Sequence, residues 1–323
     1  MNRRRTLAAL AVLGVAPGAL LAQGRVPTVG LLWIEAAKPS PYLSALLEGL
    51  GDYGYLPGRN IRIEERFLVA EYQQLATAAE RLVAQKPDVI VTVGGTAIQA
   101  ARKATATLPI VMIAGGDPVK LGMVKSLARP GGNVTGFTII GSELAGKRIE
   151  LLKEAFPTIR RIAIALYPES EGERIALANL TAAAQSVGWR SSSVEIRSAD
   201  EIEPVVAQVA RSGADALVVA GSTLLRANRS RLVAAIGKTR LPAIYADSLF
   251  VYEGGLLSYG PNLSDALRRG AAYIARILKG AKPADLPVEQ ASRMELMVNA
   301  RTAKQQGIEL PRSLLLRADR VID

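Results

Sequence analysis

The sequence predicts an α/β protein of two Rossmann-like lobes joined by a multi-strand hinge, and three observations lead there. Short Val- and Ile-rich runs alternate with longer amphipathic runs through the 323 residues, the pattern of parallel strands covered by helices. The alternation restarts after a break at Arg129-Pro130-Gly131-Gly132-Asn133, so two βα series of similar length follow one another. The tail then carries one more strand–helix pair, a break at Gly280-Ala281-Lys282-Pro283, and a last pair. Extra segments of that kind return across a hinge.

The elements follow in order. Strands are expected over 26–34, 61–67, 89–93 and 110–113, where β-branched and other apolar residues cluster between turn formers. Helices are expected over 42–53, 72–85 and 96–105, where apolar residues recur at helical spacing. Gly54 through Asn60 interrupts regular pairing between the first helix and the second strand. Val134 to Thr138 reads as a strand that crosses to the second series. That series has helices over 142–156, 174–187, 202–211 and 224–239, with strands over 162–166, 192–196, 216–219 and 243–245. A strand over 256–259 and a helix over 263–278 are assigned back to the first lobe, and residues 282–323, with a strand over 295–298 and a helix over 300–306, to the second. The expected division is therefore 1–22 as an export signal, 23–138 with 254–281 as the first lobe, and 139–253 with 282–323 as the second.

The signal rests on Arg3, Arg4 and Arg5, which precede an apolar run from Leu7 to Leu21 that ends at Ala22. A basic start, an apolar stretch too short to span a bilayer and a small residue before the cut describe a cleaved leader, which places the mature chain in the periplasm. Arg4-Arg5-Thr6-Leu7 also resembles a twin-arginine signal, and both export routes stay open. There is no cysteine for lipid attachment or disulfides.

The formal net charge is +11, but Lys and Arg are dispersed and lack the aromatic interleaving of a nucleic-acid platform. No nucleic-acid partner is expected. His and Cys are both absent, and no Gly-x-Ser-x-Gly elbow occurs, so the familiar triads and His-based metal sites have no material. No catalytic residue, metal or cofactor is expected. Gly141 through Lys147 has phosphate-loop spacing, yet Arg148 stands where Ser or Thr would hold magnesium.

In open parallel sheets, ligands bind at the carboxyl ends of the strands, beside helix N-termini. Gly95 and Thr96, after the third strand, make either a carboxylate seat or a tight turn with Thr96 as cap. Asp117, before Pro118, either accepts from a ligand or caps a helix. In the second lobe Tyr167, Ser222 and Asp247 occupy the equivalent ends, with Asp247 either receiving an ammonium group or capping. Trp33 ends the first strand, where its ring either stacks on a planar ligand or packs under the 36–41 loop.

Several segments together resemble the tryptophan- and tyrosine-type substrate-binding proteins of ABC transporters. They are Gly54 through Asn60, Asp117-Pro118, Arg129 through Gly136, Leu278 through Glu289 and Asn299 through Gly307. The resemblance spans essentially the whole mature chain. It implies a type I periplasmic-binding-protein fold and a monomer that captures a small carboxylate-bearing or aromatic metabolite between its lobes, for delivery to a membrane permease driven by a cytoplasmic ATPase. Gly95-Thr96 and Asp117-Pro118 match the family's pattern best. A ligand-sensing module reporting to a membrane receptor is the alternative.

Overall fold

The apolar strand runs become sheet interiors because, in a parallel sheet, both faces are covered by helices. A computed structural model describes residues 25–34, 41–65, 68–69, 72–139 and 141–323; the expected leader and residues 36–40 of the loop after Trp33 lie outside them. The first lobe contributes β1 (Thr28–Ile34), β2 (Arg62–Glu64), β3 (Leu68–Val69), β4 (Val89–Val93), β5 (Ile110–Ile113) and β6 (Val134–Thr138). The second contributes β7 (Arg161–Leu166), β8 (Arg190–Glu195), β9 (Ala216–Val219), β10 (Ala243–Tyr245) and β11 (Leu257–Pro261). The chain then returns to the first lobe for β12 (Glu289–Gln290) and ends in the second with β13 (Met294–Asn299) and β14 (Arg320–Ile322).

Each sheet has seven strands. The orders are β12-β6-β5-β4-β1-β2, with β3 also on β1, and β14-β13-β11-β10-β9-β7-β8. All pairs are parallel except β11 with β13. The helices are α1 (Pro41–Asp52), α2 (Leu75–Ala84), α3 (Gly95–Ala104), α4 (Ser142–Ala155), α5 (Glu171–Ser186), α6 (Ile202–Arg211), α7 (Thr223–Ala227), α8 (Arg229–Thr239), α9 (Leu249–Tyr252), α10 (Leu263–Leu278), α11 (Ala300–Gln306) and α12 (Arg312–Arg317). The two expected βα series are thus present as two α/β lobes, each with core on both faces of its sheet.

The lobe boundaries differ from the sequence expectation at two places. The strand assigned to residues 256–259 belongs to the second sheet: Ile244 pairs with Leu257 and Tyr245 with Ser258, and Leu256 and Leu257 fill the second lobe's core. Only after Pro261 does the chain cross, where Asn262 accepts from the Asp265 amide and caps α10. The helix itself is in the first lobe, as expected, with Leu267, Ala271 and Ile274 buried against Leu46 and Leu50 of α1. The second difference is at residues 286–290. Leu286 and Val288 are buried in first-lobe core and Glu289 pairs with Phe137, so the return to the second lobe occurs at residues 291–293. Among the described residues three connections therefore join the lobes, after Ile139, near Asn262 and at residues 291–293.

The single helix expected over 224–239 is two. Asn228 leaves helical geometry at φ −104° and ψ 26°, and its side chain donates to the Leu224 carbonyl at 3.0 Å. An Asn that bonds the backbone locally is a common way to end a helix. Among the described residues, no helix is long and apolar enough to cross a membrane.

Candidate functional site

Strand-end loops of the two sheets face each other and enclose a cavity of about 190 Å³. From the first lobe come Gly94-Gly95-Thr96 after β4 and Ala114 through Asp117 after β5. From the second come the start of α5, Gly221-Ser222-Thr223 after β9, and Ala246-Asp247 after β10. This is the crevice at the carboxyl ends of parallel strands. A cavity of roughly 150 Å³ holds a benzene ring, so the space suits one small solute.

Five of the seven expected site residues line it: Gly95, Thr96, Asp117, Ser222 and Asp247. Trp33 and Tyr167 do not. Trp33 is fully buried, packed with Val29, Leu31 and Leu46 in the first-lobe core; its ring is a packing element rather than an exposed platform. Tyr167 is also buried, and its N–H donates to a Glu173 carboxylate oxygen at 2.6 Å.

The polar lining residues have defined partners. Asp117 accepts from the amides of Val119 and Lys120, each at 3.1 Å; no helix begins at Pro118 among the described residues, so the carboxylate stabilises a turn rather than capping a helix. Ser222 caps α7 by accepting from Leu225 N–H at 3.3 Å. Asp247 is occupied at both oxygens: one accepts from Leu249 N–H at 2.9 Å, the other from the Tyr42 hydroxyl at 3.0 Å. The second oxygen also lies 3.7 Å from Arg226 Nη1. Asp247 is therefore a structural acceptor first.

Arg226 was not singled out from the sequence. It stands one helical turn beyond Ser222, and a spacing of four residues puts it on the same side of α7. It is buried, lines the cavity, and its Nη2 has no hydrogen-bond partner among the described residues. Across the cleft is Gly94, at φ +88°. A methyl on Gly94 would lie 3.1 Å from Arg226 Nη2 and 2.9 Å from Thr223 Oγ1; only glycine lets the loop approach so closely with that backbone. The first turn of α3 adds the unpaired amides and partial positive charge of a helix N-terminus.

Two further charged groups sit in the lining. Glu173 is buried, and desolvation raises its pKa to about 7 against the opposing pull of the Tyr167 amide, the Ser222 hydroxyl and the Arg226 charge. Its sequence signal is the Ser-x-x-Glu spacing of Ser170 and Glu173; Ser170 accepts from Glu173 N–H, while the Glu173 carboxylate goes to the Tyr167 amide instead of closing a capping box. Arg148, visible in the sequence only as the residue that spoils a phosphate loop, is buried and donates from Nε to the Tyr259 carbonyl at 2.7 Å. Burial lowers its pKa to about 10, countered by Tyr259 and Asp247, so it stays cationic at neutral pH. Among the described residues no cluster of His, Cys, Asp or Glu could hold a metal ion.

Two parallel-sheet lobes on a three-connection hinge, with a charged cavity between them, define a hinged solute-binding protein. The profile of the family described as ABC transporter substrate binding protein matches residues 38–322, and the chain belongs to that family. The family is one of solute-binding proteins, not of enzymes. A curated relative, the tyrosine-binding protein of Clostridioides difficile strain R20291, is 26% identical over 258 residues, covering 80% of this chain and 74% of its own. An ABC domain from Streptococcus pneumoniae solved in complex with L-Trp superposes with a TM-score of 0.83 at 27% identity, covering 92% of this chain and 99% of that one. A conserved domain protein from Vibrio cholerae gives 0.84 at 25% identity, covering 92% of this chain and 100% of that one. The fold is the type I periplasmic-binding-protein fold.

Proposed function

We propose that this chain captures an aromatic α-amino acid between its lobes, outside the cytoplasm, and presents it to an ABC permease driven by a cytoplasmic ATPase. The observation that carries the reading is the unpartnered Nη2 of Arg226, buried against the N-terminus of α3. A buried donor without a partner costs free energy, and a carboxylate is the group that satisfies a guanidinium edge and helix amides together. The anionic end thus sits among Arg226, Gly95 and Thr96. The ammonium faces Glu173, which lines the cavity, rather than Asp247, which pairs with Arg226 and accepts from Tyr42 and Leu249. The apolar part lies against Ile139, Leu144, Ile175 and Leu263 rather than on Trp33.

The relatives support this ligand class, since one is a tyrosine-binding protein and another was solved with L-Trp. Export with cleavage near Ala22 fits a family whose members work outside the cytoplasm. The test is a thermal-shift and calorimetric comparison of L-tryptophan and L-tyrosine with tryptamine, which lacks the carboxylate, and indole-3-propionate, which lacks the ammonium. A ligand selective for the native state stabilises it by about 2.7 kcal/mol at a hundred times its Kd, and Tm rises accordingly. The amino acids should act strongly and both truncated analogues weakly. Equal binding of tryptamine and L-tryptophan removes Arg226 from the reading.

A further inference from the structure

The occupied state of Asp247 joins residues of the two lobes that lie far apart in the chain. Tyr42 is on α1, in the first lobe, and is buried within that lobe's core cluster. Asp247 follows β10 of the second lobe and is buried as well. Their 3.0 Å hydrogen bond spans 205 residues of sequence and crosses the cleft. The same carboxylate oxygen lies 3.7 Å from Arg226 Nη1, and the Arg226 guanidinium carbon stands 6.0 Å from the centre of the Tyr42 ring. The other oxygen is fixed by the Leu249 amide, so the carboxylate cannot swing to another partner without uncapping α9. On either side, apolar second-lobe residues rest on first-lobe core: Leu249 on the cluster around Leu46 and Ala227 on the cluster around Ile98.

We propose that Tyr42 and Asp247 form a clasp between the lobes that holds the cleft shut and positions Arg226. One prong of the guanidinium is tied to Asp247, which leaves the other prong aimed at the Gly94 loop. When the lobes part, Asp247 loses its first-lobe donor and the Arg226 edge leaves the α3 amides. Closure therefore assembles the anion seat from both halves, instead of bringing a finished seat to the ligand. Tyr42 and Asp247 are positioning residues that act through Arg226. The clasp itself stands independently of the ligand; only the anion-seat consequence rests on the proposed function.

Small-angle scattering of the purified protein without added ligand tests the clasp, comparing wild type with Tyr42→Phe, Asp247→Asn and the double variant. Tyr42→Phe keeps the buried ring and removes only the hydroxyl. Circular dichroism and Tm establish that each variant is folded, and Tyr42→Phe is decisive if Asp247→Asn is not. The expected result is a compact wild type, a larger radius of gyration in each single variant, and no additional increase in the double variant, because both substitutions break one unit. A wild type already expanded, or a Tyr42→Phe variant as compact as wild type, overturns the proposal. A second arm adds L-tryptophan as probe. Compaction of Tyr42→Phe by the probe, with affinity about tenfold weaker than wild type and the loss in the dissociation rate, supports the positioning of Arg226. Expansion that L-tryptophan does not reverse in any variant, with no binding to wild type, counts against the ligand reading and leaves the clasp in place.

Discussion

Gly94→Ala is the substitution whose consequences are most fully set by the structure. Gly94 has φ +88°, where an L-residue is strained by about 1–3 kcal/mol. That alone lowers Tm by roughly 2–4 °C per kcal/mol in a lobe of this size. The added methyl would also stand 2.9 Å from Thr223 Oγ1 and 3.1 Å from Arg226 Nη2, closer than ordinary contact at about 3.5–4.0 Å. Both neighbours belong to the opposite lobe, so the chain relieves the contact by keeping the cleft ajar. The anion seat then fails to form, and affinity for L-tryptophan should fall at least tenfold beyond any effect of stability. Gly188→Ala is the control: φ is +79° but open space surrounds the new methyl, so Tm falls while binding is unchanged. Calorimetric titration and thermal melts of both variants separate the two effects. Wild-type affinity in Gly94→Ala would refute the close approach of Arg226 to this loop.

Arg226→Lys keeps the charge but loses the planar fork, and binding of L-tryptophan measured by calorimetry should weaken by about 10- to 100-fold, the worth of one or two charge-assisted bonds. Glu173 carries a pH dependence whose sign is defined. Its folded pKa of about 7 lies above the ordinary 4.5, so below pH 4.5 it is neutral in both states and costs nothing. Between pH 4.5 and 7 the unfolded chain ionises first and stability declines, by on the order of 3 kcal/mol in total. Glu173→Gln should remove that decline and melt higher than wild type at pH 8, which thermal melts across pH 4.5–8 will measure. Trp33→Phe should cost about 1–3 kcal/mol in chemical denaturation, through a cavity in the first-lobe core, while changing affinity less than twofold.

Much of the fold was legible because the strands of a parallel sheet are short, β-branched and separated by glycine-rich turns. The runs 89–93 and 110–113 coincide with the observed strands. The lobe assignment of Leu257–Pro261 was not legible, since an apolar strand carries no label saying which sheet it completes; only its pairing with β10 and β13 decides. The same holds for β12, two residues long and exposed, whose place is set by the burial of Leu286 and Val288 beside it. In the site, Gly95, Thr96, Asp117, Ser222 and Asp247 were found by the general rule that ligands meet strand ends, and all five line the cavity. Trp33 belongs to a strand end too, but its side chain turns into the core, and facing cannot be read from a run apolar on both sides. The burial of Arg226, Glu173 and Arg148 was not legible because each sits within a helix, where a charge ordinarily reads as solvent-facing, and only tertiary packing encloses it.

The passage of α10 across the hinge makes the first lobe discontinuous in the chain. Its core includes Leu46 and Leu50 from the beginning and Leu267, Ala271 and Ile274 from more than two hundred residues later. A chain emerging from a ribosome or a translocation pore must therefore make five of the second sheet's seven strands, up to Pro261, before the earlier unit can be sealed. Until then the inner face of α1 is uncovered, and a nascent or clipped polypeptide ending before residue 263 presents that apolar stripe to chaperones, proteases and its own copies. Synthesis thus interleaves the two halves: the first waits for α10 and β12, and the second for β13 and β14 at the very end.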